Sequence, residues 1–266
     1  MILASATELT VLLSGIAALA YAVPAISGHR MSPSSAHLAL LVAWLLHAAV
    51  VAAGLLGQTP RFGFAPALSI TAWLVLTVYA VESQRFPQLR ARWALSGLGA
   101  AALLLAVAFP GSPLHESTSP WLALHSALGL ASYGLFAAAV VHAWLMTRAE
   151  KQIRLAADPN AGIPLLTLER LTFRFVLSGF VLLTATLLAG WLFGERLYGG
   201  VGWKWDHKTI FSLLAWLTFA CLLLGRQRFG WRGRKAVRVL YAGAMMLLLA
   251  YAGSRFVLEV ILGRAT

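Results

Sequence analysis

Long apolar runs separated by short polar connections extend over most of the 266-residue chain. Eight of these runs are bounded by charged residues, proline or glycine, and each is near the length of about 20 residues that a membrane-crossing α-helix needs. Their apolar positions are continuous, whereas the strands of a membrane β-barrel alternate between apolar and polar residues. We therefore predict an all-α fold, a polytopic membrane helical bundle with eight transmembrane helices in a single domain over residues 1–266. The predicted spans are 7–27, 36–57, 64–82, 93–110, 120–147, 171–193, 208–225 and 237–262.

Composition and charge agree with a membrane protein. Hydrophobic residues make up 60% of the chain and charged residues 11%, whereas a soluble protein has about 25% charged residues. A soluble enzyme, a disordered protein and a nucleic-acid partner are therefore disfavoured. Fifteen of the 21 lysines and arginines lie in or beside the connections that follow the first, third, fifth and seventh spans. Because basic residues stay on the cytoplasmic side, both termini are predicted to face the opposite side.

The single cysteine limits the redox chemistry of the chain. Cys221 lies in the apolar run TFACLLLG, so an intramolecular disulfide, a CxxC pair and a CxxCH haem-attachment motif are all excluded. Its apolar neighbours predict a buried, inert thiol.

The segment 194–216, GERLYGGVGWKWDHKTIFSLLAW, contains the most unusual polar cluster. Tryptophan is expected at membrane interfaces, but that expectation does not account for two tryptophans, an acid, a histidine and a lysine beside three glycines. Such a set suits a flat amphipathic ligand, because aromatic faces stack on a ring, a cation meets a carboxylate and an imidazole coordinates a metal. The cluster consists of Trp203, Trp205, Asp206, His207 and Lys208.

This cluster carries a family resemblance. The stretch 200–209, GVGWKWDHKT, resembles the tryptophan-rich signature of the cytochrome c assembly family, membrane haem-handling proteins of the CcsA, CcmC, HemX-like and YpjD-like types. The stretch 120–128, PWLALHSAL, resembles the family's PxW-L-x-x-H helix, and 251–259, YAGSRFVLE, is most similar to the HemX-like and YpjD-like branch. The likeness covers roughly residues 64–262.

The resemblance implies a location and a function. It implies a multi-pass protein of the bacterial inner membrane with both termini periplasmic, which binds haem b and serves haem delivery or c-type cytochrome maturation at the periplasmic face. Apocytochrome and other maturation proteins are the implied partners, beside haem and the lipid bilayer. The family's haem synthetases use a further histidine where this chain has Ser254 and Arg255. We therefore predict an assembly or delivery factor, with no catalytic residues and no secured lyase activity.

Two histidines are the predicted iron ligands, since imidazole is the commonest axial ligand of haem. His125 lies about one and a half turns inside the fifth span, and His207 opens the seventh span at the same face. Trp203, Trp205 and Asp206 are predicted to contact the cofactor. For Asp206, a structural role as helix N-cap is the alternative.

Three further residues complete the predicted haem contacts. Ionisable groups inside a bilayer are costly, and function is the default hypothesis for them. His47 in the second span and His142 in the fifth are therefore predicted to form an inner haem site, with a hydrogen-bonded structural role as the alternative. Arg255 is predicted to meet a haem propionate, with an i, i+4 pair with Glu259 as the alternative.

Two other functions remain open. A regulator or scaffold of haem synthesis without catalytic activity would use the basic connection Arg226–Arg238 to hold a soluble partner. A small-solute transporter would need polar groups near the membrane midplane, whereas the charges here cluster at the two faces.

Overall fold

The computed structural model describes residues 2–27, 30–57, 60–85, 92–113, 120–154, 164–194 and 205–262. In these ranges the chain is almost entirely helical, with eight helices if the continuous segment Gly233–Ile261 is counted once. It divides into two compact units. Unit 1 comprises Met1–His115 with Leu258–Thr266, and unit 2 comprises Glu116–Val257.

Unit 1 contains four helices and one short antiparallel ladder. Helix α1 packs on α2 and α4, and α3 packs on the same two helices. The ladder pairs Arg61 of β1 with Pro113 of β2, so the start of α3 and the end of α4 lie at the same end of the unit. The elements are α1 (Ile2–Ser27), α2 (Pro33–Leu56), β1 (Arg61–Phe62), α3 (Phe64–Arg85), α4 (Arg92–Ala108) and β2 (Ser112–Pro113).

Polar side chains of unit 1 hydrogen-bond within the helix layer. Trp44 and Trp73 stack with ring centroids 5.3 Å apart. The Trp44 indole N–H donates to Thr77 Oγ1 at 2.8 Å, and the Trp73 indole N–H donates to the Trp44 carbonyl at 3.2 Å. These bonds join α2 to α3 and satisfy donors that lipid cannot satisfy.

Unit 2 is a ring of four helices, each packed on two others: α5 on α6, α6 on α7, α7 on α8, and α8 on α5. Helix α8 continues through two π-helical turns, Leu249–Gly253 and Val257–Ile261, on either side of the α-helical turn Ser254–Phe256. The helices are α5 (Pro120–Arg154), α6 (Leu165–Leu192), α7 (His207–Phe229) and α8 (Gly233–Leu248).

The core of unit 2 is built around a pair of stacked phenylalanines. Phe136 of α5 and Phe219 of α7 lie 3.8 Å apart between centroids with an interplanar angle of 9°. Glycines make room for both rings. A Cβ at Gly179 would lie 3.2 Å from Phe136, and one at Gly243 would lie 2.7 Å from Phe219. Close helix packing at small residues is the usual way in which membrane helices associate.

Local sequence signals set both ends of α7. The Asp206 carboxylate accepts a hydrogen bond from the Thr209 backbone N–H at 2.8 Å, which caps the first turn. At the other end Gly230 adopts φ 62°, the left-handed conformation that glycine accepts without strain. The Trp231 N–H then donates back to the Gly225 carbonyl at 3.1 Å.

The structure confirms a multi-span helical membrane protein. Seven helices in the described part of the chain are long and apolar enough to cross a bilayer. The eighth, α4, has a shorter apolar stretch, Leu95–Ala108, so the predicted count of eight crossings stays a prediction. The predicted single domain stays a prediction as well.

The prediction of a buried Cys221 is wrong, because its side chain is exposed on α7. The lipid-facing side of a membrane helix is apolar too, and an apolar run therefore does not predict burial.

Candidate functional site

His125 lies on the second turn of α5, where this helix approaches α6. Gly129 stands one turn further along the same helix face, and a Cβ at Gly129 would already contact the Thr186 methyl group at 3.7 Å. Helices α5 and α6 pack against each other here, and the His125 imidazole interacts with the backbone of Thr186 on α6.

One nitrogen of this imidazole lacks a partner. His125 Nδ1 is buried and has no hydrogen-bond partner among the described residues. A buried polar atom without a partner costs about 1–3 kcal/mol, and such atoms in native structures call for an explanation. A ligand that binds this nitrogen would supply one.

One cation, Lys208, lies near His125, and a second, Arg255, lies near Lys208. Lys208, the second residue of α7, acts electrostatically on His125 and on Arg255, and Asp206 is the acid near Lys208. The Lys208 ammonium also lies over the Tyr251 ring, 5.6 Å from its centroid. Two neighbouring cations repel each other, so this cluster favours an anionic ligand.

Aromatic rings lie on the helices that carry the cluster. Tyr133 of α5 lies 6.4 Å from Tyr251 between centroids. Trp121, in the first turn of α5, stacks on Phe193 at 5.1 Å with an interplanar angle of 15°. Tyr251 belongs to the first π-helical turn, and π-turns inside helices are frequent at functional sites.

The tryptophan-rich segment is only partly described. Trp203 lies outside the described residues, whereas Trp205 is 72% exposed. Asp206 caps α7, which is the structural alternative that the sequence offered for it. His207 is exposed at the first position of α7, directly before Lys208. Their predicted cofactor contacts stay predictions.

His47 and His142 belong to different units, and each has hydrogen-bond partners of its own. In unit 1, His47 is 0% exposed. Its Nε2 lies 2.9 Å from Ser69 Oγ, and its Nδ1 lies 3.4 Å from the Tyr21 hydroxyl. In unit 2, His142 Nδ1 donates to the Ala138 carbonyl at 2.8 Å. The contacts of both His47 nitrogens support the structural role for His47, the contact of His142 involves one of its two ring nitrogens, and the predicted inner haem site of the pair stays untested.

Sequence reasoning missed part of the cluster. It selected His125 and Arg255 but left Tyr251 and Thr186 out, and it did not include Lys208 among the predicted haem contacts. Lys208 and Tyr251 both lie inside the two stretches that carried the resemblance, which was the available signal. Nothing local in the sequence indicates Thr186.

Among the described residues no group of three or more His, Cys, Asp or Glu side chains could hold a metal ion, so any iron here would depend on single imidazoles.

Comparisons with known proteins agree with this architecture. The fold and the site define this protein as a multi-span helical membrane protein that has a histidine and two cations near one end of a four-helix unit. The family model described as cytochrome C assembly protein matches residues 32–262. The chain therefore belongs to the cytochrome c assembly family, as the sequence predicted, and the match begins earlier than the expected stretch.

Two relatives match over most of their length. The inner membrane protein YpjD of Escherichia coli (strain K12) is 31% identical over 238 residues, which cover 87% of this chain and 88% of the relative. An uncharacterized 28.8 kDa protein of Azospirillum brasilense is 30% identical over 210 residues, 74% of this chain and 76% of the relative.

A further relative matches over a shorter stretch. The cytochrome c biogenesis protein CcsA of Prochlorococcus marinus (strain AS9601) is 36% identical over 89 residues, 34% of this chain and 28% of the relative. No solved structure matches.

Proposed function

We propose that this protein binds haem b at the cluster around His125 and serves haem delivery or c-type cytochrome maturation. The observation that carries the proposal is the buried Nδ1 of His125, which has no hydrogen-bond partner among the described residues. Haem iron takes an axial imidazole, and an imidazole held by a backbone group at its other nitrogen is the usual arrangement for a metal ligand. The Thr186 backbone is the candidate for that second role.

The rest of the cluster matches the remaining chemistry of haem. Its two propionates are anionic, and Lys208 and Arg255 are neighbouring cations on α7 and on the α-helical turn after α8. Its flat apolar ring suits aromatic side chains, of which Trp121, Tyr133 and Tyr251 are in this part of unit 2. The bound iron would supply a coordination centre that the protein's own residues orient.

His207 is our candidate for a second ligand, with Trp203 and Trp205 as ring contacts. His207 is exposed and adjoins Lys208 in the chain, which makes it accessible to a ligand held by the cations. Asp206 serves these residues indirectly, since it caps the helix that carries His207 and Lys208.

The proposed location is the bacterial inner membrane, with this end of unit 2 and both termini periplasmic. The relative YpjD is named an inner membrane protein, and CcsA is named for cytochrome c biogenesis. The distribution of basic residues supports the orientation. An apocytochrome or other maturation proteins would receive the haem.

The test is the absorbance spectrum of the protein purified in detergent after expression with ample haem. We expect a Soret band in the wild type and the loss of most of it in His125→Ala. His37→Ala is the matched control, because His37 is exposed on α2 of unit 1, and it should keep the band.

Rescue separates a ligand from a structural residue. In His125→Gly, added imidazole should restore the Soret band, because the free imidazole occupies the vacated ligand position. A wild type without a Soret band would contradict haem binding. A band of unchanged position and intensity in His125→Ala would show that another residue binds the iron.

A further inference from the structure

A cavity of about 370 Å³ lies in unit 1, remote in sequence from the His125 cluster and unused by the proposed function. It is bounded by the first half of α1, the end of α2, the start of α3 and the end of α4. Its volume lies in the range of roughly 300–1,000 Å³ that is typical of small-ligand sites. Sixteen residues line it, and four of them have polar side chains: Thr10, Ser14, Arg61 and Ser69.

The buried polar groups of the lining are satisfied by the protein. Ser14 Oγ donates to the Thr10 carbonyl at 2.8 Å, and Ser69 Oγ lies 2.9 Å from His47 Nε2. Both serines are buried, at 4% and 3% exposure. A buried water needs about two to four polar partners, and an apolar cavity stays dry and accepts apolar guests. The inner part of this cavity therefore suits an aliphatic chain.

The rim of the cavity carries a cation. Arg61 in β1 donates to the Gly111 carbonyl at 3.4 Å, and no carboxylate of the described residues forms an ion pair with it. A guanidinium has five N–H donors, so one such bond leaves most of them available. A cation at the mouth of an apolar cavity matches an anionic head group on an aliphatic chain.

We propose that the unit 1 cavity binds an amphiphile, whose aliphatic chain fills the space between α1, α2, α3 and α4 and whose carboxylate or phosphate binds Arg61. Two sources share this chemistry: a free fatty acid and a bilayer phospholipid that inserts one acyl chain.

Glycine positions provide a matched pair of variants. Gly54 lines the cavity, and a Cβ there would meet no other atom within 4 Å. Gly97 on α4 is equally open but does not line the cavity. Gly54→Leu should therefore fill the cavity, and Gly97→Leu should add the same side chain elsewhere in unit 1.

Native mass spectrometry of the delipidated protein measures the binding of palmitate, of hexadecanol as the uncharged equivalent, and of phosphatidylglycerol supplied in vesicles. We expect a palmitate or phosphatidylglycerol adduct on the wild type and on Gly97→Leu, reduced at least tenfold on Gly54→Leu. Arg61→Gln should weaken the anionic adduct about tenfold, the range of a hydrogen bond to a charged group, and should leave hexadecanol binding unchanged. The adduct mass distinguishes the fatty acid from the phospholipid.

Three results would overturn the proposal: no adduct with any probe, equal adducts on the wild type and Gly54→Leu, or equal binding of palmitate and hexadecanol by the wild type. If Gly54→Leu is not recovered as folded protein, Val107→Phe is used in place of Gly54→Leu, because it narrows the same cavity from α4. The Soret band of each variant is recorded in parallel. Because the cavity and His125 belong to different units, loss of the adduct with an unchanged spectrum separates this proposal from haem binding.

Discussion

His47 and His125 both lie in apolar helices, with similar neighbours in the sequence. Their surroundings in the folded protein differ. Tyr21 and Ser69, from two other helices, approach the two ring nitrogens of His47, whereas His125 Nδ1 has no hydrogen-bond partner among the described residues. The partners of His47 indicate a role in stabilising the fold, and the open nitrogen of His125 supports our proposal that a ligand binds there.

His47→Ala should destabilise the protein without affecting haem binding. The substitution removes two hydrogen-bond partners from buried groups and leaves a space in the core of unit 1, at a cost of about 2–4 kcal/mol. Thermal unfolding in detergent should show a melting temperature several degrees below that of His37→Ala, an exposed position on the same helix. Equal melting temperatures for the two variants would contradict the structural role of His47.

Lys208→Gln should weaken the binding of haem but not of haem dimethyl ester. The ester removes the propionate charges, so it loses the interaction with the cations near His125. We expect about tenfold weaker haem binding in the variant, as for a lost hydrogen bond to a charged group, measured by titration of the apoprotein. Lys151→Gln is the control, because Lys151 is exposed in the last turn of α5. An equal loss of affinity for both ligands would rule out a propionate contact.

Residue roles were predictable only where neighbours in the chain define them. The Asp206 cap could be anticipated, because its partner Thr209 is three residues away. The partners of His47 lie 26 and 22 residues away on other helices, and helix packing alone decides which side chains meet there. Thr186 beside His125 was missed for the same reason.

At the scale of helices, apolar runs identify the membrane spans but not the ends of the helices. Helix α5 continues to Arg154, past the predicted end at 147, and α6 begins at Leu165, before the predicted start at 171. Both additional stretches contain charged residues, and charged residues bounded the predicted spans. They hold ion pairs: Arg154 bonds Glu150, and Arg226 lies 3.3 Å from Glu169.

Asp206 offers a test of helix capping against direct ligand contact. Asp206→Ala should lower the free energy of unfolding by about 1 kcal/mol, because α7 loses its N-cap acceptor, whereas asparagine accepts the same hydrogen bond. We therefore expect Asp206→Asn to retain both the wild-type melting temperature and the Soret band. If Asp206→Asn loses the band as fully as Asp206→Ala does, the charge of Asp206 acts on the ligand and the capping explanation is insufficient.

For the whole molecule, the number of crossings decides on which side each end of the chain lies. Seven described helices meet the length of a span, and α4 is shorter. The short ladder of unit 1 indicates whether α4 crosses the membrane. Because Arg61 pairs with Pro113, the chain before α3 and the chain after α4 lie at the same end of the unit. If α3 crosses the membrane, this pairing predicts that α4 returns across it, although α4 has 17 residues where α3 has 22.

This return path predicts the sidedness of two cysteine substitutions. Cys221 is the single cysteine, so Cys221→Ser provides a thiol-free background. In that background we expect Pro113→Cys to react with a membrane-impermeant maleimide in spheroplasts with an intact inner membrane, together with Arg61→Cys. Gln84→Cys, at the end of α3, should react only in inverted vesicles, because the basic connection after α3 is predicted to be cytoplasmic. Labelling of Pro113→Cys and Gln84→Cys from the same side would show that α4 does not cross, and would leave the two ends of the chain on opposite sides.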